Sequence, residues 1–140
     1  LVYTLAGRAL YRDRAGGSRT LTPGDALLLV PEIEHVYGPA PGERWSEYYL
    51  IFEGPVFELW RSAGLLDDPV RHAEPVRSWL ARLESVTEVP GRSHVARALT
   101  EVCRLQEILA EIWGRSAAAA ATSAGDAMDA ACAVLEADHG

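Results

Sequence analysis

Apolar and polar positions alternate at short range through the first third of the chain, and near Gly54 the alternation gives way to a helical repeat. A period of two marks a strand with one buried face, because successive side chains point to opposite sides of a sheet. Residues 1–6, 8–14 and 18–22 form such runs, broken by the turn residues Gly16 and Gly17 and leading into Pro23-Gly24-Asp25. Residues 26–30, Ala-Leu-Leu-Leu-Val, are apolar throughout and suit a strand buried on both faces. A loop over 31–34 delivers His35-Val36-Tyr37, Pro39-Ala40-Pro41-Gly42 makes the next turn, and 45–52 is the last clear strand. Short strands this closely spaced between Gly and Pro turns predict a small β-barrel or sandwich.

Beyond Gly54, Pro55 suits the first turn of a helix ending near residue 63, with Gly64 as its stop. Over 75–87, Val76, Trp79, Leu80, Leu83 and Val86 recur at helical spacing and span roughly 120°, the width of one buried face. Over 93–113 the apolar residues cover roughly 220°, wider than one face explains. Two arrangements account for that width. The helix is sunk among elements of its own domain, or it packs one edge on the β part and offers the other to a second subunit in a twofold dimer. The second is favoured, with Leu99, Val102, Leu105, Leu109 and Ile112 as the interface. Gly114 ends the helix. Residues 115–125, with five consecutive alanines, read as a linker, and Asp126 caps a further helix carrying Met128, Ala131, Cys132 and Leu135 on one face. The expected organisation is therefore a β part over 1–53, a helical part of the same domain over 54–114, a linker, and over 126–140 an orphan helix belonging to another module.

A chain of 140 residues supports one hydrophobic core and not two. With 13 basic and 20 acidic residues its net charge is −7, which leaves no basic footprint for nucleic acid or anionic lipid. The imbalance is uneven: 6 acidic face 5 basic residues up to Leu50, and 14 face 8 beyond it. Cys103 and Cys132 fit neither a disulfide framework nor a metal spacing and read as small buried hydrophobes. Without a leader pattern or an apolar run of roughly 18 residues, the expected setting is the cytoplasm, away from membranes. Both ends, at Leu1 and Gly140, read as cut from something longer.

Of the four histidines, His35, His72, His94 and His139, only His35 falls in the β region, so no convergent metal ligands are expected. No nucleophile elbow or glycine-rich phosphate loop is present, and neither catalytic residues nor a cofactor are expected. What remains is a polar and aromatic constellation. His35 shares parity with Tyr37, and Trp45 shares it with Glu47, Tyr49 and Ile51. An interior with aromatic faces and one carboxylate suits a small polar organic ligand, whose hydroxyls or amine the carboxylate would accept. The alternative is that Tyr37 and Tyr49 are ordinary core rings and Glu47 points to water.

The run 23–31, Pro-Gly-Asp-Ala-Leu-Leu-Leu-Val-Pro, followed by Glu34-His35-Val36-Tyr37-Gly38 and by 45–52, resembles the N-terminal cupin sensor domain of AraC-type transcription regulators. The resemblance spans Leu1 to about Trp113 and implies an α+β fold: a cupin-like, jelly-roll β-barrel followed by a helical segment whose long helix, 93–113, dimerises. It implies pocket positions at Tyr37, Glu47 and Tyr49, with Thr4 and Ala6 on the first strand. Where sugar-sensing members carry Arg and His, this chain has Ala6 and Glu47, so the pocket differs in charge. Arg8, of the same parity as Ala6, is a candidate to restore a positive group. With His35 and Trp45 the expected ligand-binding set is Thr4, Ala6, Arg8, His35, Tyr37, Trp45, Glu47 and Tyr49. Metal-dependent cupins carry a His-x-His where residues 8–19 here have no histidine, so the non-enzymatic branch is the better match.

The resemblance implies a domain that binds a small polar effector, sugar-like or related, and controls DNA through a C-terminal helix-turn-helix domain of which 126–140 is the opening helix. The implied partners are the effector, a second copy of the chain, and DNA only through that further domain. Two other readings stay open: a metal-dependent cupin enzyme, and a purely structural dimerisation module with a filled barrel.

Overall fold

The structure, a computed structural model, describes residues 1–90 and 93–114. In chain order it contains β1 (Val2–Gly7), β2 (Ala9–Asp13), β3 (Ser18–Leu21), β4 (Asp25–Leu27), β5 (His35–Pro39), β6 (Trp45–Tyr49), α1 (Pro55–Ser62), β7 (Val70–His72) and α2 (Val76–Thr87), and residues 94–114 form a further helix, α3. The strands make two antiparallel sheets, one in the order β6-β1-β4-β7 and one in the order β3-β2-β5. The expected α+β, cupin-like architecture is present, as a sandwich and not as a closed barrel. No ladder among the described residues joins the rims of the two sheets, so their edges stay open.

Alternation along β1 sorts the core into two layers. Val2 faces the second sheet and packs with Ala9, Tyr11, Leu21 and Leu27, while Tyr3 faces the helices with Leu1, Ala26 and Leu28. Trp79 and Leu83 of α2 and Leu105, Ile108, Leu109, Ile112 and Trp113 of α3 cover that outer face. The four-stranded sheet is therefore buried on both sides, which is why residues 26–30 are apolar without alternation. Its pairing stops earlier than the apolar run: the ladder ends at Leu27, although the Leu28 amide still donates to the Pro69 carbonyl at 2.8 Å.

One residue decides which of the first-strand positions face inward. The β1–β6 register pairs Val2 with Tyr49 and Thr4 with Glu47, then jumps at Leu5 to pair Ala6 with Ser46 and Gly7 with Trp45. A bulge of one residue inverts the parity of everything after it. Ala6 and Arg8, expected to follow Thr4 into the interior, are turned outward and exposed, and Arg8 donates to Glu43 instead. Neither lines the cavity described below.

The helical part departs from expectation in three ways. First, β7 lies inside a stretch read as helical; it pairs with β4, and so His72 is also a strand residue. Second, the wide apolar arc of α3 divides along the helix axis. Leu105, Leu109 and Ile112 are in the chain's own core, with Leu109 at 0 % exposure, whereas Val95 and Leu99 near the start are 68 % and 63 % exposed. Three of the five residues expected at a dimer interface are therefore internal, and Leu99 and the half-buried Val102 alone stay near the surface. Third, Cys103 is exposed and not buried. Arg104 fastens α3 to the end of α2 by donating to the Ser85 and Glu88 carbonyls, which an α-helix leaves unpaired in its last turn. Arg82 adds an ion pair with Glu111 at 2.7 Å. Cys132, the linker expected over 115–125 and the helix expected over 126–140 lie outside the described residues.

Candidate functional site

A cavity of about 530 Å³ opens at the end of the sandwich where β5 and β6 run past the packed inter-sheet core. Its size falls within the range of small-molecule sites. Glu47 and Tyr49 of β6 reach it because the Thr4–Glu47 and Val2–Tyr49 pairings set their parity inward, and Tyr37 of β5 reaches it from the other sheet, where it pairs with the buried Tyr11. Leu29, Val30 and Pro31 form a second wall, and the segment 50–54 with Phe57, Glu58 and Arg61 of α1 forms a third. The strand expected over 45–52 stops at Tyr49, which frees Leu50 to Gly54 to bend around the opening.

The most informative group in the cavity is a carboxylate. One oxygen of Glu47, Oε2, is shielded from solvent and has no hydrogen-bond partner, and no arginine among the described residues pairs with it. Burial pushes its carboxyl above the ordinary carboxylate value. The Tyr37 hydroxyl is raised as well, first by burial and then by the charge of Glu47 and by Tyr49. Around these groups the rings are fixed: Tyr37 meets Trp45 edge-on at 5.8 Å and 88°. The Trp45 indole N–H donates to the buried Thr4 hydroxyl at 3.4 Å. At the mouth, Arg61 donates to Glu58 at 2.8 Å and lies 3.8 Å from Glu32, so its charge is already matched.

Of the eight expected ligand-binding residues, the cavity is lined by Tyr37, Glu47 and Tyr49. Thr4 and Trp45 stand behind them as supports, and neither lines the cavity. His35 sits at the start of β5, its Nδ1–H donating to the Ile33 carbonyl at 2.6 Å and its ring 6.2 Å from Tyr37. Ala6 and Arg8 are on the outside, for the reason given by the bulge. The residues that sequence reasoning missed, chiefly Leu29, Phe52, Phe57, Glu58 and Arg61, belong to segments whose positions depend on how α1 returns to the sheet. Among the described residues no group of three His, Cys, Asp or Glu is placed to hold a metal ion, and no helix is long and apolar enough to cross a membrane.

A second polar cluster lies at the opposite edge of the four-stranded sheet, where β4 pairs with β7. The Asp25 carboxylate accepts from the Thr22 amide at 2.7 Å, the Thr22 hydroxyl at 2.9 Å and His72 Nδ1–H at 2.8 Å, while His72 Nε2 lies 3.6 Å from Glu74. The hydrogen bond to Asp25 raises the His72 pKa above its ordinary 6.5; desolvation opposes it, and the charges of Asp25 and Glu74 add smaller raises. A group with a raised folded pKa stabilises the protein below its unfolded value, and that contribution is lost as pH rises through the folded one. The stability difference between wild type and His72→Gln, taken from urea midpoints, should be larger at about pH 5.5 than at about pH 9. A difference that does not change with pH would show that the pair contributes nothing through its charge.

A family model described as an AraC-like ligand binding domain matches residues 1–136. No curated protein and no solved structure matches the chain. The match takes in both sheets, the cavity between them and all three helices, and the protein belongs to the AraC-like ligand-binding domain family.

Proposed function

We propose that the chain is the effector-sensing part of a transcription regulator of the AraC type, and that the cavity is where the effector binds. The observation that carries this reading is a cavity of about 530 Å³ lined by Tyr37, Tyr49 and Glu47, with one buried oxygen of Glu47 lacking a hydrogen-bond partner among the described residues. A buried acceptor without a donor costs free energy, and a protein retains such a group where a ligand supplies the missing partner. The family resemblance taken alone suggests a small polar molecule such as a sugar; whatever its class, Tyr37 and Tyr49 lie against its body and Glu47 accepts its hydrogen bonds. The regulatory nature of the family supports a sensor over a metal-dependent enzyme. The cavity in turn supports a sensor over a purely structural module.

Binding regulates only through a difference in affinity between two arrangements of the protein. Contiguity of packing supports a route for that difference: Leu1, Leu28, Phe57 and Leu66 line the cavity and belong to the same hydrophobic cluster as Leu105, Leu109 and Trp113 of α3. In this reading α3 carries the bias to a second copy through its start, at Val95, Leu99 and Val102, and to a DNA-binding domain of the regulator, and the setting is cytoplasmic. The acidic chain then acts on DNA through its partner domain alone, consistent with its net charge of −7.

A thermal-shift screen of small polar molecules tests the reading. A ligand at 100 times its Kd stabilises the folded state by about 2.7 kcal/mol, which raises the melting temperature by several degrees. Leu29→Trp, which fills the cavity from its wall, should fold as judged by circular dichroism and should abolish the shift. A shift of equal size in Leu29→Trp would place the effector elsewhere.

A further inference from the structure

We infer that the effector is an organic ammonium ion with an apolar body, its charge held at Glu47; the inference rests on the cavity being the effector site. Three observations converge. The first is Glu47, which lines the cavity and one of whose oxygens has neither a donor nor a counter-cation among the described residues. A buried carboxylate is satisfied most fully by a group that brings hydrogen-bond donors and positive charge together, and an ammonium brings both. Tyr37 and Tyr49 line the cavity beside it, and the faces of such rings attract a cation.

The second observation concerns what the rest of the wall can satisfy. Away from Glu47 it is built mainly from hydrocarbon, with Leu28, Leu29, Val30, Phe52, Phe57 and Leu66 among the lining residues. A sugar carries several hydroxyls around its ring, and most would be buried here without partners. A hydrocarbon or aryl body has no such groups and gains from the same burial. The third observation excludes the opposite charge. Among the described residues Arg61 is the one arginine lining the cavity, and its guanidinium is engaged by Glu58 and Glu32, while Glu53 adds a further acid to the lining. A carboxylate or phosphate ligand would meet a surplus of like charge.

Charge-matched pairs test this on the 140-residue chain by calorimetry: 2-phenylethylamine against 2-phenylethanol, hexylamine against hexanol, and glucose as the polyhydroxyl probe. At neutral pH each amine should bind at least about tenfold more tightly than its alcohol, and glucose should not bind. Glu47→Gln, which keeps the shape and removes the charge, should bring amine and alcohol to equal affinity. Amine binding in wild type should also weaken as pH falls and Glu47 takes up a proton. Alcohols or glucose binding as tightly as amines, with Leu29→Trp abolishing it, would overturn the ammonium assignment and leave the cavity as the effector site. Binding of any probe that survives Leu29→Trp, or no binding by any of them, would overturn both. The comparison of amine with alcohol uses wild type alone, so it stands whether or not the Glu47 variant folds.

Discussion

Trp113→Ala is expected to remove about 3–5 kcal/mol of stability, a large share of the roughly 5–15 kcal/mol that holds a domain folded. The indole is 2 % exposed and lies in the cluster that joins α3 to the four-stranded sheet, and its N–H donates to the Asp68 carbonyl at 2.8 Å. Truncation leaves a large void and takes away that donor. Trp113→Phe separates the two effects: it keeps most of the packing and should cost about 1–3 kcal/mol, the penalty for the unpaired carbonyl. Leu99→Ala on the same helix should fall within about 0.5 kcal/mol of wild type, because Leu99 is largely solvent-exposed. Urea denaturation of the three variants measures all of this. A loss below about 1 kcal/mol for Trp113→Ala would mean that the end of α3 is not docked on the sheet. The route proposed from cavity to α3 would then have no physical basis.

Gly7→Ala should be the most damaging small substitution in the β part, at about 2–5 kcal/mol from left-handed backbone strain and overpacking together. Gly7 has φ +77°, and a Cβ there would lie 1.8 Å from the Arg44 carbonyl oxygen. Neither the strand nor its partner can yield cheaply, since Gly7 is paired with Trp45 across the ladder. Gly42 provides the comparison: its φ is also +77°, but nothing lies within 4 Å of its Cβ position. Gly42→Ala should therefore carry only the conformational part, about 1–2 kcal/mol. Equal losses at the two sites would show that the approach of β1 to β6 is looser than the structure has it. The Gly7 variant also has a functional readout, because Trp45 supports Thr4 and Tyr37 beside the cavity. A changed tryptophan emission together with weakened ligand binding is the expected pairing.

The residues of the candidate site divide by how far each depends on neighbours remote in sequence. Tyr37 sits on one alternating run and Glu47 and Tyr49 on another, where parity groups residues on a common face; it was the family resemblance that pointed to them as pocket positions. Ala6 and Arg8 were misplaced because an extra residue at Leu5 reverses parity, and alternation does not announce a bulge. The signal that was present is Gly7, since a lone glycine inside a strand pattern marks such a kink. Phe57, Glu58 and Arg61 were not legible as cavity residues, because helical spacing shows that α1 is amphipathic and says nothing of what its faces meet. The strand β7 has three residues, too few to show a period.

By itself the sequence determined the class of the fold and the order of nearly all its elements, and it grouped Glu47 with Tyr49, and Tyr37 with His35, by parity. Each of these follows from short-range periodicity and turn chemistry, which act over a few residues and leave their mark in the chain. Only the tertiary structure decided that the sheets form an open sandwich, that the second half of α3 belongs to the chain's own core, and that one buried oxygen of Glu47 finds no partner among the described residues. Those outcomes depend on which distant surfaces meet. A wide apolar arc fits burial at home or against a second copy equally well, and a carboxylate at an inward position fits a salt bridge as well as an empty cavity. Packing in three dimensions chooses between such pairs.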